Sequence, residues 1–339
     1  MFKEKICISR IDKMGDMILT LPIIKSIKIQ IPNSEIHVLA STQNAKVLKN
    51  INYIDKIITV ETNFKSFFSE LGELKKTKYK YFFNFSPNTK GFFLCFFSNS
   101  YKKASTVLLS RNKKYFSKLL IRLLAFIICD HIYVVNRVKR LKQNQELHQT
   151  LMMFNLIEKC GLDSQSQNIS IDISLPSKKI SFFRKKTVVV HASKKWINSY
   201  YSEKNFLELL SSLKHSGYLI IITTDYSTKK NFFKIYNNFN IISNLDFKNL
   251  KSIKYDIIIL DNLEYESWVK VIYSSSLVIT PECGCLHIAA ACNVPVNIIY
   301  EANYFPEAMH KEYHPWKSKY NKFVFDEKNL NQKLIESLE

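Results

Sequence analysis

Two short stretches concentrate the groups that could do chemistry. The first is Arg10-Ile11-Asp12-Lys13-Met14-Gly15-Asp16, which puts two acids, two bases and one of the chain's six glycines in a single turn. The second is Glu282-Cys283-Gly284-Cys285-Leu286-His287, an acid, two thiols and an imidazole around another glycine. Asp16 has two readings. At a strand-to-helix junction it can accept a backbone N–H as a helix cap. At the C-terminal edge of a first strand it can instead present a carboxylate to a ligand cleft. Gly284 and the residues after it open a helix whose unpaired N–H groups and dipole favour an anion. His287 is either a packing histidine or a ligand contact. Cys283, Cys285, His287 and Cys292 raise the idea of a metal site, but no second ligand pair follows at zinc-like spacing, so no metal is expected.

Such turns need a rigid frame. Short β-like runs alternate with longer helical ones, which predicts α/β architecture with parallel sheets. In the first half, strands are expected over 5–9, 35–39, 56–60 and 78–86. Helices are expected over about 17–30, 43–49 and 147–162, the last ending at Gly161. The run NISIDISLPSKK (168–179) reads as a linker. A second series follows, with strands over 186–193, 218–224, 255–260, 277–280 and 294–300. Its helices fall at 202–217, with Ser202 as cap, and at 264–276, 285–293 and 328–339. The expected units are 1–175, 176–322 and a terminal helical segment, 323–339. Two α/β units in series commonly form a cleft between the C-terminal edges of their sheets, where ligands bind.

Composition limits the function classes. The chain has 339 residues, 46% hydrophobic, enough for two ordinary cores. Its formal net charge is +20, and from Tyr101 to Gln143 eleven Lys or Arg residues face one acid, Asp130. Such a block attracts anions: nucleic acid, phospholipid head groups or a phosphorylated substrate. The apolar run Leu119–Val135 is interrupted by Arg122, Asp130 and His131, so no membrane span is expected; its apolar residues through Cys129 read as a buried helix. Lys3, Glu4 and Lys5 argue against a signal peptide. The seven cysteines lie mostly in apolar segments without framework spacing, which predicts reduced thiols in the cytoplasm. No G-x-G, Asp-x-Asp, G-x-S-x-G or His-Glu-x-x-His occurs, which removes dinucleotide, metal-chelating sugar-transfer, hydrolase-elbow and zinc-helix signatures. With 24 Phe and 18 Tyr a single-strand nucleic-acid binder is an alternative, though most of these aromatics fall in core-like runs, and no specific nucleic acid is expected.

The stretch ISRIDKMGDMILTLPIIKSIKIQIPNSEIHVLA (8–40) resembles the N-terminal signature of the family 9 glycosyltransferases, the ADP-heptose:lipopolysaccharide heptosyltransferases and their relatives. ELHQTLMMFNLIEKCGL (146–162) is similar to that family's interdomain helix, with His148 at the usual place. SEKNFLELLSSL (202–213) resembles the start of its second domain, and ITPECGCLHIAAACNVPV (279–296) its donor motif. The resemblance implies a GT-B fold, two Rossmann-like parallel-sheet domains facing a central cleft. It implies metal-independent, inverting transfer of a sugar, heptose or related, from a nucleotide-sugar donor, ADP-linked in the family, to a lipopolysaccharide core or similar surface glycan. No cofactor beyond that substrate is implied. Asp16 becomes the general base, with Arg10, Lys13, Met14 and Gly15 on the acceptor side. The donor side takes Lys194 or Lys195, Glu282, Cys283, Gly284, Cys285 and His287. The basic block would meet an anionic lipid-linked acceptor or the inner-membrane surface, giving a cytoplasmic protein peripheral to that membrane. The match departs at the donor side. Glu282-Cys283-Gly284 stands for Asp-Thr-Gly, no proline follows Trp196, and IYEANYF replaces a Phe-Gly-Pro-Thr loop. A catalytically degenerate scaffold is therefore the alternative to an active transferase.

Overall fold

The computed structural model describes residues 3–60, 71–109, 123–163, 168–182, 186–198, 202–224, 228, 240–242, 255–303 and 305–338. The chain divides into two compact units, Met1–Ser174 and Leu175–Glu339. The division falls inside the extended segment 168–179, which carries neither helix nor strand apart from one 3₁₀ residue.

In the first unit the strands are β1 (Lys5–Arg10), β2 (Glu35–Ser41), β3 (Lys56–Val60), β4 (Tyr79–Asn84), β5 (Ser100–Leu108) and β6 (His131–Val135). They form one six-stranded sheet in the order β3-β2-β1-β4-β5-β6. Every neighbouring pair is parallel. This is the doubly wound Rossmann order. The central strands read as near-continuous apolar runs because helices cover both faces; Ile6, Cys7, Ile8, Phe82 and Phe83 are fully buried.

The helix expected over 17–30 is two helices, α1 (Met14–Ile18) and α2 (Leu21–Gln30). Pro22 is the second residue of α2. It has no N–H to give to Ile18, so a continuous helix would lose a rung there, and the chain restarts at Thr20 instead. The segment expected as a helix over 43–49 is a 3₁₀ turn, Ala45–Leu48. Further helical segments pack on this sheet, over 71–76, α3 (Thr89–Phe97) and over 123–128. The unit continues with α4 (Arg137–Lys142) and α5 (Gln149–Lys159). His148 caps α5, its side chain accepting the Thr150 N–H at 3.3 Å. Gly161 ends it with φ +85°, the left-handed conformation that glycine adopts without a Cβ penalty.

The second unit holds β7 (Thr187–Ala192), α6 (Lys194–Asn198), α7 (Glu203–His215) and β8 (Leu219–Thr224). β9 (Asn240–Ile242), β10 (Ile257–Asp261), α8 (Tyr265–Tyr273), β11 (Leu277–Pro281) and α9 (Gly284–Ala291) follow. The unit ends with β12 (Val296–Tyr300), α10 (Pro306–Tyr313), β13 (Tyr320–Val324) and α11 (Leu330–Glu336). Its seven-stranded sheet runs β13-β12-β11-β7-β8-β10-β9, again parallel throughout. Ser202 caps α7 by accepting the Asn205 N–H at 3.1 Å. Both units are thus Rossmann-like, the pair of domains that defines the GT-B class.

The last helix is part of the second unit's core. Leu330 and Leu334 are buried with Leu209, Leu213 and Trp196, and Asn331 donates to the Asn205 carbonyl at 2.8 Å. The segment 323–339 therefore begins inside β13 and closes the same domain. Leu334→Ala should destabilise this unit by about 2–5 kcal/mol through the lost transfer energy and the cavity left behind. Urea unfolding followed by tryptophan fluorescence, with all three tryptophans (Trp196, Trp268 and Trp316) in this unit, gives the measurement.

Candidate functional site

The first unit's chemistry collects where its sheet order reverses. From β1 the chain moves to β2 on one side, and from β4 to β5 on the other. Loops leaving the C-terminal ends of β1 and β4 therefore meet at a topological switch point, the usual ligand crevice of such sheets. Arg10 ends β1 and is only 3% exposed. One guanidinium nitrogen donates to the Phe85 carbonyl, in the loop after β4. Another donates to Asp16 Oδ1 at 2.6 Å, and Nε lies 3.6 Å from Asp12 Oδ2. A buried cation is tolerated when it is paired and hydrogen-bonded, and Arg10 is both.

Asp16 is the third residue of α1, and its other oxygen, Oδ2, accepts the Lys13 N–H at 3.2 Å. The helix thus begins at Met14, three residues earlier than the sequence pattern suggests, and Gly15 lies within its first turn. Asp16 combines the two roles left open in the sequence: it satisfies a backbone N–H at a helix start, and it stands at the C-terminal edge of the sheet. Lys13 is exposed, and Met14 and Gly15 are half-buried. Arg10 is turned inward to the two aspartates, so it is placed to hold Asp16 rather than to touch a ligand.

Asp12 is the second clamp. Ser86 Oγ donates to its Oδ2 at 2.6 Å and Asn88 Nδ2 to its Oδ1 at 3.2 Å. The Ile11 N–H donates to Ser86 Oγ at 2.8 Å, and Asn44 Nδ2 donates to the Arg10 carbonyl at 2.8 Å. Asn88 also caps α3 by accepting the Gly91 N–H at 2.9 Å. These partners come from 32 to 76 positions away, so no local pattern marks them. Gly91 is required by close approach: a Cβ there would overlap the Ser86 carbonyl oxygen and stand 2.7 Å from Asn84 Oδ1.

The second unit repeats the plan. Its switch point lies between β7 and β11, since the chain moves from β7 to β8 but from β11 to β12 on the opposite side. Lys195 follows β7, Glu282 follows β11, and Glu301 follows the neighbouring β12. Lys195 Nζ is 2.5 Å from Glu282 Oε2 and 3.3 Å from Glu301 Oε2. Burial opposes the charge on Lys195, but the Glu282 charge and hydrogen bond, with further negative groups including Glu301, outweigh it and raise its pKa. Trp196, next in the chain, is buried against Phe206 and Phe325 and donates to the His191 carbonyl at 2.8 Å. It fixes the turn that carries Lys195. Of the two lysines named by the sequence, Lys195 enters this cluster and Lys194 is exposed. Glu301 was not anticipated; it lies in the segment that departs from the family loop, and only the pairing of β11 with β12 brings it to Glu282.

α9 begins at Gly284, preceded by Cys283, whose side chain makes no cap to the helix. Cys283 Sγ lies 3.3 Å from Thr280 Oγ1, and burial raises its thiol pKa. Cys285 is buried in the core with its thiol pKa raised by desolvation, and His287 is buried as well. Cys285 can therefore meet a ligand only through its backbone. Among the described residues no group of three or more His, Cys, Asp or Glu is arranged to hold a metal ion.

Gly91→Ala tests the scaffold that holds the Arg10–Asp16 turn. Displacement of the Ser86 carbonyl would loosen the Asp12 clamp and cost about 1–3 kcal/mol, the range for forcing extra atoms into a packed site. Thermal melting of the variant against the parent chain measures it.

The family model for glycosyltransferase family 9 (heptosyltransferase) matches residues 131–338. No curated protein sequence matches the chain. Among solved structures, a glycosyl transferase family 9 protein from Veillonella parvula DSM 2008 aligns with TM-score 0.73 at 14% identity, covering 100% of this chain and 92% of that one. The E. coli ADP-heptose lps heptosyltransferase II aligns at 0.69 and 12% identity, over 99% and 97% of the two chains. The E. coli heptosyltransferase WaaC, solved with ADP, aligns at 0.70 and 14%, over 98% of each. These likenesses carry the fold, and the family match, spanning well over half of the sequence, carries the classification: this chain belongs to glycosyltransferase family 9.

Proposed function

We propose that the protein transfers a sugar, heptose or a relative, from an ADP-linked donor to a lipopolysaccharide core or similar surface-glycan acceptor, with inversion and without a metal. Family membership supports glycosyl transfer. The ADP-linked donor is supported by the E. coli WaaC structures with ADP and with ADP-2-deoxy-2-fluoro heptose. The absence of Asp-x-Asp from the sequence favours a metal-free leaving-group site. A cytoplasmic location is proposed with it, since all seven cysteines are free, as a reducing compartment keeps them.

The observation that carries the reading is the geometry of Asp16. Arg10 fixes one carboxylate oxygen at 2.6 Å and the Lys13 N–H meets the other at 3.2 Å. A carboxylate accepts through both oxygens at about four sites, and the reading assigns one of them to an incoming hydroxyl. In this reading Asp16 takes the proton from an acceptor hydroxyl as its oxygen attacks the anomeric carbon. The bond from that carbon to the diphosphate breaks, and the leaving charge is met by Lys195 and the first amides of α9. Lys13, exposed beside Asp16, is the cation available to an anionic acceptor.

Lys195 is shared by two carboxylates, which leaves the cluster with one net negative charge. A donor diphosphate must compete with Glu282 and Glu301 for that lysine. Once released, the acids are acceptors suited to donor-sugar hydroxyls. This same pairing is the one observation that favours a degenerate binding scaffold, because it neutralises the cation a transferase needs.

Asp16→Asn separates the readings. It keeps an acceptor oxygen for Arg10 but cannot take a proton, so kcat should fall about 10²–10⁴-fold, the usual contribution of a positioned base, with donor Kd nearly unchanged. Near-normal turnover would remove Asp16 from the base role. Glu301→Gln removes one competing negative charge, worth about 1 kcal/mol at 4 Å in a water-like medium, and should tighten ADP binding roughly fivefold. Isothermal titration with ADP reads this directly, and weaker binding would mean Glu301 supports the diphosphate site instead of opposing it.

A further inference from the structure

Glu282 and Glu301 share Lys195, and they are not equally free to lose it. The Glu282 side chain is 14% exposed and the Glu301 side chain 23%. A carboxylate deprived of its cation needs another hydrogen-bond donor, and the need grows as less water reaches it. If a donor diphosphate draws Lys195 away, Glu301 can turn toward solvent. Glu282 is the acid left to find a partner inside the protein.

Strand pairing supplies one. β11 and β12 run in register from Val278 beside Val296 to Pro281 beside Ile299. The Glu282 N–H donates to the Ile299 carbonyl at 3.2 Å, which continues the ladder by one position and sets Glu282 beside Tyr300. Residues paired across a ladder share a face of the sheet, so both side chains leave it on the same side. Tyr300 is 1% exposed, and its hydroxyl has no hydrogen-bond partner among the described residues. Its ring is covered by α10, where His310 stands edge-on with centroids 5.6 Å apart. The Nε2 of that histidine is paired with the Tyr320 hydroxyl at 2.9 Å. Burial first, and then the Glu282 charge, push the Tyr300 pKa upward, so the phenol keeps its proton and remains a donor. A buried hydroxyl without an acceptor destabilises the state that contains it, which points to a second state in which the acceptor is present.

We propose that Tyr300 is the alternative partner of Glu282: when a diphosphate takes Lys195, the Glu282 side chain turns to accept the Tyr300 O–H. Tyr300 meets no substrate in this scheme and is a positioning residue. It holds one carboxylate oxygen of Glu282 and leaves the other for a donor-sugar hydroxyl. The exchange thus lets the cluster release its lysine without leaving a half-buried charge unpaired. The role of the diphosphate rests on the proposed transfer reaction, whereas the pairing of Glu282 with Tyr300 does not.

Two measurements on the full chain test the two parts separately. The first needs no ligand. In the parent background Tyr300→Phe removes an unpartnered hydroxyl, so the melting temperature should hold or rise slightly. In a Lys195→Met background Glu282 already depends on Tyr300, and the same substitution should lower the melting temperature by about 2–4 °C. Equal effects in the two backgrounds overturn the pairing. The second is isothermal titration with ADP. Tyr300→Phe should weaken binding about tenfold, the loss of one hydrogen bond to a charged acceptor, and the effect should vanish in a Glu282→Gln background. A parent that binds ADP and a Tyr300→Phe variant that binds it equally well overturn the proposal, as does a loss of affinity that persists in Glu282→Gln. Coupled melting effects in a parent that binds no ADP uphold the pairing and remove the donor reading instead.

Discussion

A guanidinium buried at the end of the first strand ties the chemistry of the N-terminal unit to its fold. Arg10 cannot be left uncompensated at 3% exposure, since removing one partner of a buried ion pair costs about 3–5 kcal/mol. Its partners are therefore fixed by stability as much as by function. They are Asp16 on α1, Asp12 in the intervening turn and the Phe85 carbonyl after β4. One residue thus joins the two strands that flank the switch point and sets the direction of a carboxylate. The cost of burying the charge is offset by the clamp of Ser86, Asn88 and Asn44 around the turn. A looser turn would serve the helix cap equally well, but it would leave Asp16 free to rotate.

The second unit repeats the arrangement, one cation between two carboxylates, with a lysine in place of the arginine. Both clusters lie at C-terminal strand ends where the sheet order reverses, because that is where loops from both directions of winding converge. The first arrangement fixes the direction of a carboxylate, and the second holds a cation whose charge is already partly spent. Helix α9 then matters more, since its N-terminal amides bring positive potential without a side chain that the acids can neutralise.

Much of the scaffold was legible because its signals are local. Val188–Val190, Ile220–Ile222 and Ile257–Ile259 are β-branched runs that only buried strands tolerate, and Ser202 and Gly161 mark helix ends by their own chemistry. Other elements escaped for physical reasons. β5 carries Lys102 and Lys103 within its strand, and β6 is merged in sequence with the apolar run before it. Where both faces of a helix are apolar, as over 123–128, periodicity cannot say which face is buried; only packing decides it. The candidate site divides along the same line. Asp16, Lys195 and Glu282 stand in recognisable turns, while Asp12's partners and Glu301 are assembled by strand pairing and carry no sequence mark of their own.

The family match begins at residue 131 and so covers the second unit and the end of the first, leaving the Arg10–Asp16 turn outside it. The turn that reads most like the family to the eye is thus not the part that classifies the chain. The structure resolves this tension through topology. A carboxylate placed at the switch point of a six-stranded Rossmann sheet, held by a buried arginine, depends on strand order and on contacts 75 residues apart. Those contacts can persist while the intervening sequence drifts, since each partner is replaceable so long as the guanidinium stays paired. The cluster around Lys195 lacks that protection, because its acids and lysine are partly exposed and make few obligatory bonds. Departure from the family pattern there, with Glu282-Cys283 in place of Asp-Thr and Glu301 beside them, therefore costs the fold little.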